Sequence, residues 1–142
     1  MLKFEQTRTG TKEIGNVPEK PYRILVVEDE EMILRGIEAF LQDEGFEVRI
    51  ATSGEESLDI LNQEKMDLLI VDMRLPNIDG DMVILEALRL DPSLKFIIHT
   101  GSSQYQLPPE LRERGLKDTQ VLIKPIHDMN LLTNLINDLL KN

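Results

Sequence analysis

Apolar residues in this chain come as short solid blocks, each followed by a longer stretch in which they recur every three or four positions. RILVV (23–27) is the first block; in EMILRGIEAFLQDEG behind it, Ile33, Leu34, Ile37, Phe40 and Leu41 fall on one helical stripe. That spacing predicts a strand and then a helix, with Gly45 as the C-terminal stop. FEVRI (46–50) alternates as a strand nearer a sheet edge does, and Ser53 and Glu56 stand at capping-box spacing ahead of Leu58 and Leu61. The strand–helix pair therefore repeats. DLLIV (67–71) predicts a third strand, DGDMVILEALRL (79–90) a helix, KFIIHT (95–100) a fourth strand and QVLI (120–123) a fifth. A last helix over 128–140 carries Leu131, Leu132, Leu135, Ile136, Leu139 and Leu140 in the 3.6-residue rhythm. The first twenty residues show neither period and contain Gly10, Gly15 and Pro18, so 1–21 reads as a flexible N-terminal tail and 22–142 as one domain.

Solid strands alternating with amphipathic helices mean strands covered on both faces, hence a parallel sheet in an α/β, doubly wound fold. Five strands fit the flavodoxin-like order 2-1-3-4-5. Ligands of such sheets lie beyond the carboxyl ends of the strands, near the switch in strand order. Glu28 and Asp29 follow strand 1, Asp72 ends strand 3, Thr100 ends strand 4 before Gly101, and Lys124 follows strand 5 before Pro125. Helix 4 is the irregular element: SSQYQLPPELRERGLKDT (102–119) carries Pro108 and Pro109, and a proline in mid-helix costs about 3 kcal/mol. A short or displaced helix is expected there, starting near Pro109 and ending at Gly115.

Composition narrows the function. At 142 residues, 41% of them hydrophobic, the chain suits one domain with a real core, and no apolar run approaches the ~20 residues of a membrane span. No secretory signal pattern opens it and it has no cysteine, so a cytoplasmic protein is expected. With 26 acids against 16 bases the net charge is −10, which weighs against nucleic acid as a partner of this domain.

Each polar group at the strand ends has an ordinary explanation taken singly, as a helix-dipole acid, a turn hydroxyl or a solvated cation. Together they do not, because three carboxylates crowded at strand ends repel one another unless a cation joins them. Mg²⁺ is the economical cation, a hard ion that takes oxygen ligands and shares its shell with phosphate. Thr100 and Lys124 supply the hydroxyl and ammonium that a phosphoryl group attracts, leaving Asp72 as the nucleophile and an aspartyl phosphate as the product.

VVEDE (26–30), LLIVDMRLPNIDG (68–80), HTG (99–101) and IKP (123–125), in that order and at strand ends, make the chain resemble the receiver domain of two-component response regulators. The resemblance covers about residues 22–140 and makes 22–142 the receiver domain. It implies that Asp72 takes a phosphoryl group from the phosphohistidine of a histidine kinase or phosphotransfer protein. It implies direct Mg²⁺ ligation by Asp29 and Asp72, with Glu28 acting through water and the Arg74 carbonyl giving a further oxygen. Thr100 and Lys124 would contact the phosphoryl oxygens, and Lys124–Pro125 would be cis. Such a domain catalyses its own phosphorylation and dephosphorylation and is not a turnover enzyme on a separate substrate. The alternative within this resemblance is a receiver-like docking module that is never phosphorylated; it would be expected to have lost the acceptor, a metal acid or the lysine, and all stand here.

Two departures from the family pattern bear on output. The aromatic residue often found three before the lysine is Val121 here, and the prolines put the face formed by helix 4, strand 5 and helix 5 in question. Tyr105 is a candidate mobile group, although an exposed loop tyrosine without a role is the favoured reading. Arg74 reads equally as a group over the pocket mouth and as plain surface. The two histidines, His99 and His127, have ordinary readings in a strand and a loop, and no cysteine joins them as a zinc ligand. A flavodoxin-type cofactor binder is disfavoured because EDEE after strand 1 repels an anion, and an aspartate-nucleophile phosphatase because Arg74 stands where its second acid would be. Only two residues follow the last predicted helix, so output through an unidentified protein partner, or through a region beyond this sequence, is expected.

Overall fold

The computed structural model describes residues 20–141, together with a two-residue antiparallel ladder in which Phe4–Glu5 pairs with Lys12–Glu13. The tail expected over residues 1–21 otherwise lies outside the described residues. From Arg23 the chain runs β1 (Arg23–Val27), α1 (Glu31–Asp43), β2 (Glu47–Ala51), α2 (Gly54–Gln63), β3 (Leu68–Asp72), α3 (Gly80–Leu90), β4 (Lys95–Thr100), α4 (Pro109–Glu113), β5 (Val121–Ile123) and α5 (Met129–Lys141). These five strands form one all-parallel sheet in the order 2-1-3-4-5, the flavodoxin-like arrangement expected from the pattern.

Strand alternation sorts the core into two layers. Ile24, Val26, Leu68, Ile70 and Ile97 face α1 and α5, meeting Leu34, Ile37, Leu41, Leu132 and Ile136. Leu25, Val27, Leu69, Val71, Phe96 and Ile98 point the other way, onto Ile60 of α2, Val83 and Ala87 of α3 and Leu111 of α4. With both faces covered, all five residues of β3 are buried, and that includes Asp72.

Local signals set the element ends. Ser53 Oγ accepts from the Glu56 amide at 3.1 Å as an N-cap should, while the Glu56 carboxylate reaches back to the Thr52 amide at 2.6 Å instead of the Ser53 amide of a full capping box. Asp79 caps α3 by accepting from the Met82 amide at 3.0 Å. α4 is a five-residue helix that Pro109 opens, followed by Gly115 at φ +98°, so both prolines and the glycine act as the sequence predicts. Gln120, read as the first residue of strand 5, instead ends a 3₁₀ turn (Asp118–Gln120), and its amide donates to the Phe96 carbonyl at 2.8 Å. β5 is left with three residues, which carry Lys124 at their carboxyl end.

Candidate functional site

β1, β3, β4 and β5 deliver their last residues to one edge of the sheet. Asp72 is the final residue of β3, paired in register with His99. Thr100 ends β4, and the Lys124 amide donates to its carbonyl at 2.7 Å, which places the residues of the two strand ends side by side. Glu28 follows β1 and donates its amide to the Ala51 carbonyl at 3.0 Å, extending the parallel ladder by one step. Glu28, Asp72 and Thr100 are buried at 2%, 3% and 1% exposure, an unusual fate for two acids unless something joins them.

Backbone amides orient both buried carboxylates in the same way. Glu28 Oε2 accepts from the Glu30 amide and Asp72 Oδ1 from the Arg74 amide, each at 3.1 Å and each two residues on. The other oxygens face the lysine: Lys124 Nζ lies 2.8 Å from Glu28 Oε1 and 3.4 Å from Asp72 Oδ2, with Glu30 Oε1 at 3.6 Å. The Glu28 contact is an ion pair without good hydrogen-bond direction, so that oxygen stays buried and unpartnered. Burial pushes the Glu28 carboxyl up to about 6 against the pull of Lys124 and the Glu30 amide, with the Asp72 charge adding to the rise. Burial acts to lower the Lys124 ammonium, but the Glu28 and Asp72 carboxylates outweigh it and hold that group above its ordinary value.

Exposed Asp29 completes a cluster in which Glu28, Asp29 and Asp72 each offer a carboxylate oxygen within 4.8 Å of the others. These donors fit a divalent cation: all are hard oxygens, one is buried and unsatisfied, and one lysine faces several acids. Arg74 enters through its backbone, since its side chain is exposed and its amide holds Asp72. The Lys124–Pro125 peptide is cis. Asn77, at φ 70°, turns the chain between β3 and α3, a conformation that asparagine tolerates better than most residues.

Two acids near the site escaped the sequence reading, Glu30 and Asp81. Glu30 is the third acid around Lys124, with only its place in the EDEE run as a signal. Tyr105 is a correction: it is half-buried, packs against the core, and its hydroxyl donates to Asp81 Oδ1 at 2.8 Å, tying the β4–α4 loop to the first turn of α3. Burial raises both partners, and Asp81 adds to the rise of the tyrosine hydroxyl, so the pair is a neutral phenol donating to a half-buried carboxylate.

His99 is buried at 4% exposure, while His127 is exposed in a loop. Burial pushes the His99 imidazole down to about 4, with the Lys124 charge adding and the Asp72 charge opposing. An unfolded chain binds that proton near pH 6.5, so the His99 contribution is complete above that pH and is lost as the pH falls toward the folded value. The loss should reach about 2–3 kcal/mol. Urea melts of wild type and His99→Leu across this window check it: the variant should gain on wild type as the pH falls, and parallel curves would contradict it.

A family model described as the response regulator receiver domain matches residues 24–136. The chain belongs to that family, the receiver domains of two-component response regulators. The transcriptional regulatory protein GlrR of Escherichia coli (strain K12) is 33% identical over 122 residues, 86% of this chain, and the chain spans only 27% of GlrR. The response regulator receiver protein CpdR of Brucella abortus (strain 2308) is 31% identical over 119 residues, covering 84% of this chain and 94% of CpdR. Among solved structures, response regulator TrrA of Thermotoga maritima, crystallised in complex with Mg²⁺ and BeF, superposes with a TM-score of 0.74 at 30% identity. It covers 84% of this chain and 99% of its own.

Proposed function

We propose that the chain is a phosphoacceptor: Asp72 takes a phosphoryl group from the phosphohistidine of a histidine kinase or phosphotransfer protein, in the cytoplasm, and signals to a protein partner by a change of conformation. One observation carries this reading, the convergence of Asp72, Glu28, Asp29 and Lys124 at the carboxyl edge of the sheet. An Asp72 oxygen attacks phosphorus while the bond to the donor imidazole nitrogen breaks and the imidazole leaves. The Arg74 amide fixes the carboxylate for that attack. Lys124 Nζ and the Thr100 hydroxyl stabilise charge on the phosphoryl oxygens. Asp29, Asp72 and the Arg74 carbonyl, with Glu28 in support, would hold Mg²⁺, which would supply the positive charge that offsets repulsion between acceptor and donor. The Mg²⁺–BeF complex of the T. maritima relative supports the same assignment.

Acetyl phosphate provides the test. The protein should gain one phosphoryl group by intact mass with Mg²⁺ and none with a chelator, Asp72→Ala should gain none, and Asp29→Ala should be slowed through the metal. Wild type that stays unmodified with Mg²⁺ and binds no phosphoryl mimic would make the chain a docking module instead.

Output should run through residues 101–119. Val121 offers no aromatic ring to turn inward, the five-residue α4 has little helix to shift, and the loop before it hangs on the Tyr105–Asp81 bond. Hydrogen exchange with and without beryllofluoride should change protection over 101–119, and Tyr105→Phe should lower it there without ligand. Unchanged protection over that stretch, with changes elsewhere, would defeat this reading.

A further inference from the structure

The edge of the sheet opposite the acceptor holds a cavity of about 480 Å³, within the ~300–1,000 Å³ of small-molecule sites. Lys95 opens β4 there and Gln120 precedes β5, so the cavity sits at the amino ends of both strands. Pro92, with Leu135 and Leu139 of α5, forms its apolar side. Lys95, Arg114 and Lys117 bring three cations to it against a single acid, Asp138. Acids outnumber bases 26 to 16 in the whole chain, so the cavity reverses the prevailing charge. Arg112, two residues before Arg114, pairs with Asp118 at 2.8 Å, yet none of the three cavity cations has an ion-pair partner among the described residues. Like charges gathered without partners repel one another, and an anion seated among them relieves that repulsion.

The frame that carries these cations is fixed. The buried Gln120 side chain donates to the Phe96 carbonyl at 2.8 Å and accepts from the Lys117 amide at 2.9 Å, which ties the loop after α4 to β4. Gly115, at φ +98°, turns the chain between Arg114 and Lys117, and a Cβ there would meet nothing within 4 Å.

We propose that this cavity binds a mononucleotide, its phosphate among Lys95, Arg114 and Lys117 and its base against Pro92, Leu135 and Leu139. A phosphate monoester carries close to two negative charges at neutral pH, and a guanidinium takes two of its oxygens in a bidentate pair. A monocarboxylate would leave more of the cluster unmatched, and inorganic phosphate would leave the apolar side uncovered. Asp138 favours a ligand that bears a sugar. Beside a bare anion it only repels, whereas a ribose hydroxyl donates to it, as it does to the acidic side chain of dinucleotide sites.

Titration of the whole chain with AMP, adenosine and ribose 5-phosphate, followed by amide NMR, tests the assignment. A chelator keeps metal from drawing the phosphate to the acceptor edge. AMP should shift the Gly115, Lys117 and Gln120 amides saturably and bind about tenfold more tightly than either fragment. Arg114→Glu and Lys117→Glu, both at exposed positions, should each weaken AMP about tenfold while the melting curve stays that of wild type. Asp138→Asn keeps an acceptor for the ribose and removes a negative charge, so it should tighten AMP. No saturable shift, a fragment that matches AMP, or shifts centred on Asp29 and Asp72 would overturn the assignment. So would charge-reversed variants that bind as wild type does, or an Asp138→Asn variant that binds no more tightly.

Discussion

Lys124→Ala is expected to slow phosphoryl uptake from acetyl phosphate by about 10²–10³-fold, the usual consequence of removing one preorganised donor from a developing anion. Lys124 is the one cation that the described residues place against both Glu28 and Asp72, at 2.8 and 3.4 Å, and its side chain is only 14% exposed. Without it, Glu28 and Asp72 would keep no side-chain cation between them, and the phosphoryl oxygens would lose their ammonium partner in a partly desolvated cleft, leaving the metal as the sole positive charge. Arginine should not rescue the variant, because a broad planar guanidinium does not reproduce the compact ammonium that lies 2.8 Å from Glu28 and 3.4 Å from Asp72. Stopped-time intact-mass measurements give the rate. A variant labelled as fast as wild type would remove Lys124 from the chemistry and leave it only as a counter-charge for Glu28.

Gly80→Ala is expected to destabilise the fold by about 3 kcal/mol and to disturb the site as it does so. A Cβ at Gly80 would stand 2.6 Å from the Asp72 carbonyl oxygen and 2.9 Å from Met73 Cα, and closer still to the Met73 methyl. The methyl can swing away, but the backbone at Asp72 and Met73 can yield only by moving the strand end that carries the acceptor. Gly54 makes a useful contrast, since the atoms a Cβ would meet there belong to the Ile78 and Val83 side chains. Urea melts should therefore rank Gly80→Ala well below Gly54→Ala, and labelling of Gly80→Ala should be slowed even where the protein is folded. Equal stabilities would mean that α3 docks less tightly on β3 than the geometry implies.

The strands and the pocket were legible because burial on both faces writes each strand as an unbroken apolar block, and a charge closing such a block stands out. Asp72, Glu28 and Lys124 announced themselves in this way, and Thr100 as the hydroxyl that ends KFIIHT. Asp72 is itself the last residue of β3, one position beyond the expected strand, since its backbone stays in register with His99. The two prolines and Gly115 fixed α4 because their constraints are local. Contacts between distant segments left no such trace. The Tyr105–Asp81 bond joins residues 24 apart through a loop without period, and Tyr105 alone reads as surface. His99 is hidden for the opposite reason: within KFIIHT it continues a buried block, and nothing local tells that its Nε2 ends without a partner. Glu30 was passed over because a run of four acids does not say which of them reach inward.

Borohydride reduction tests the central claim most directly, because an aspartyl phosphate is an acyl phosphate that the reagent converts to homoserine at the modified position. Protein treated with acetyl phosphate and Mg²⁺, reduced and digested, should carry homoserine at position 72 and at no other acid of the cluster. Homoserine at position 29, the five-carbon 2-amino-5-hydroxypentanoic acid at position 28, or neither product from protein whose intact mass has increased, would place the phosphoryl group elsewhere and contradict the assignment of Asp72 as the acceptor.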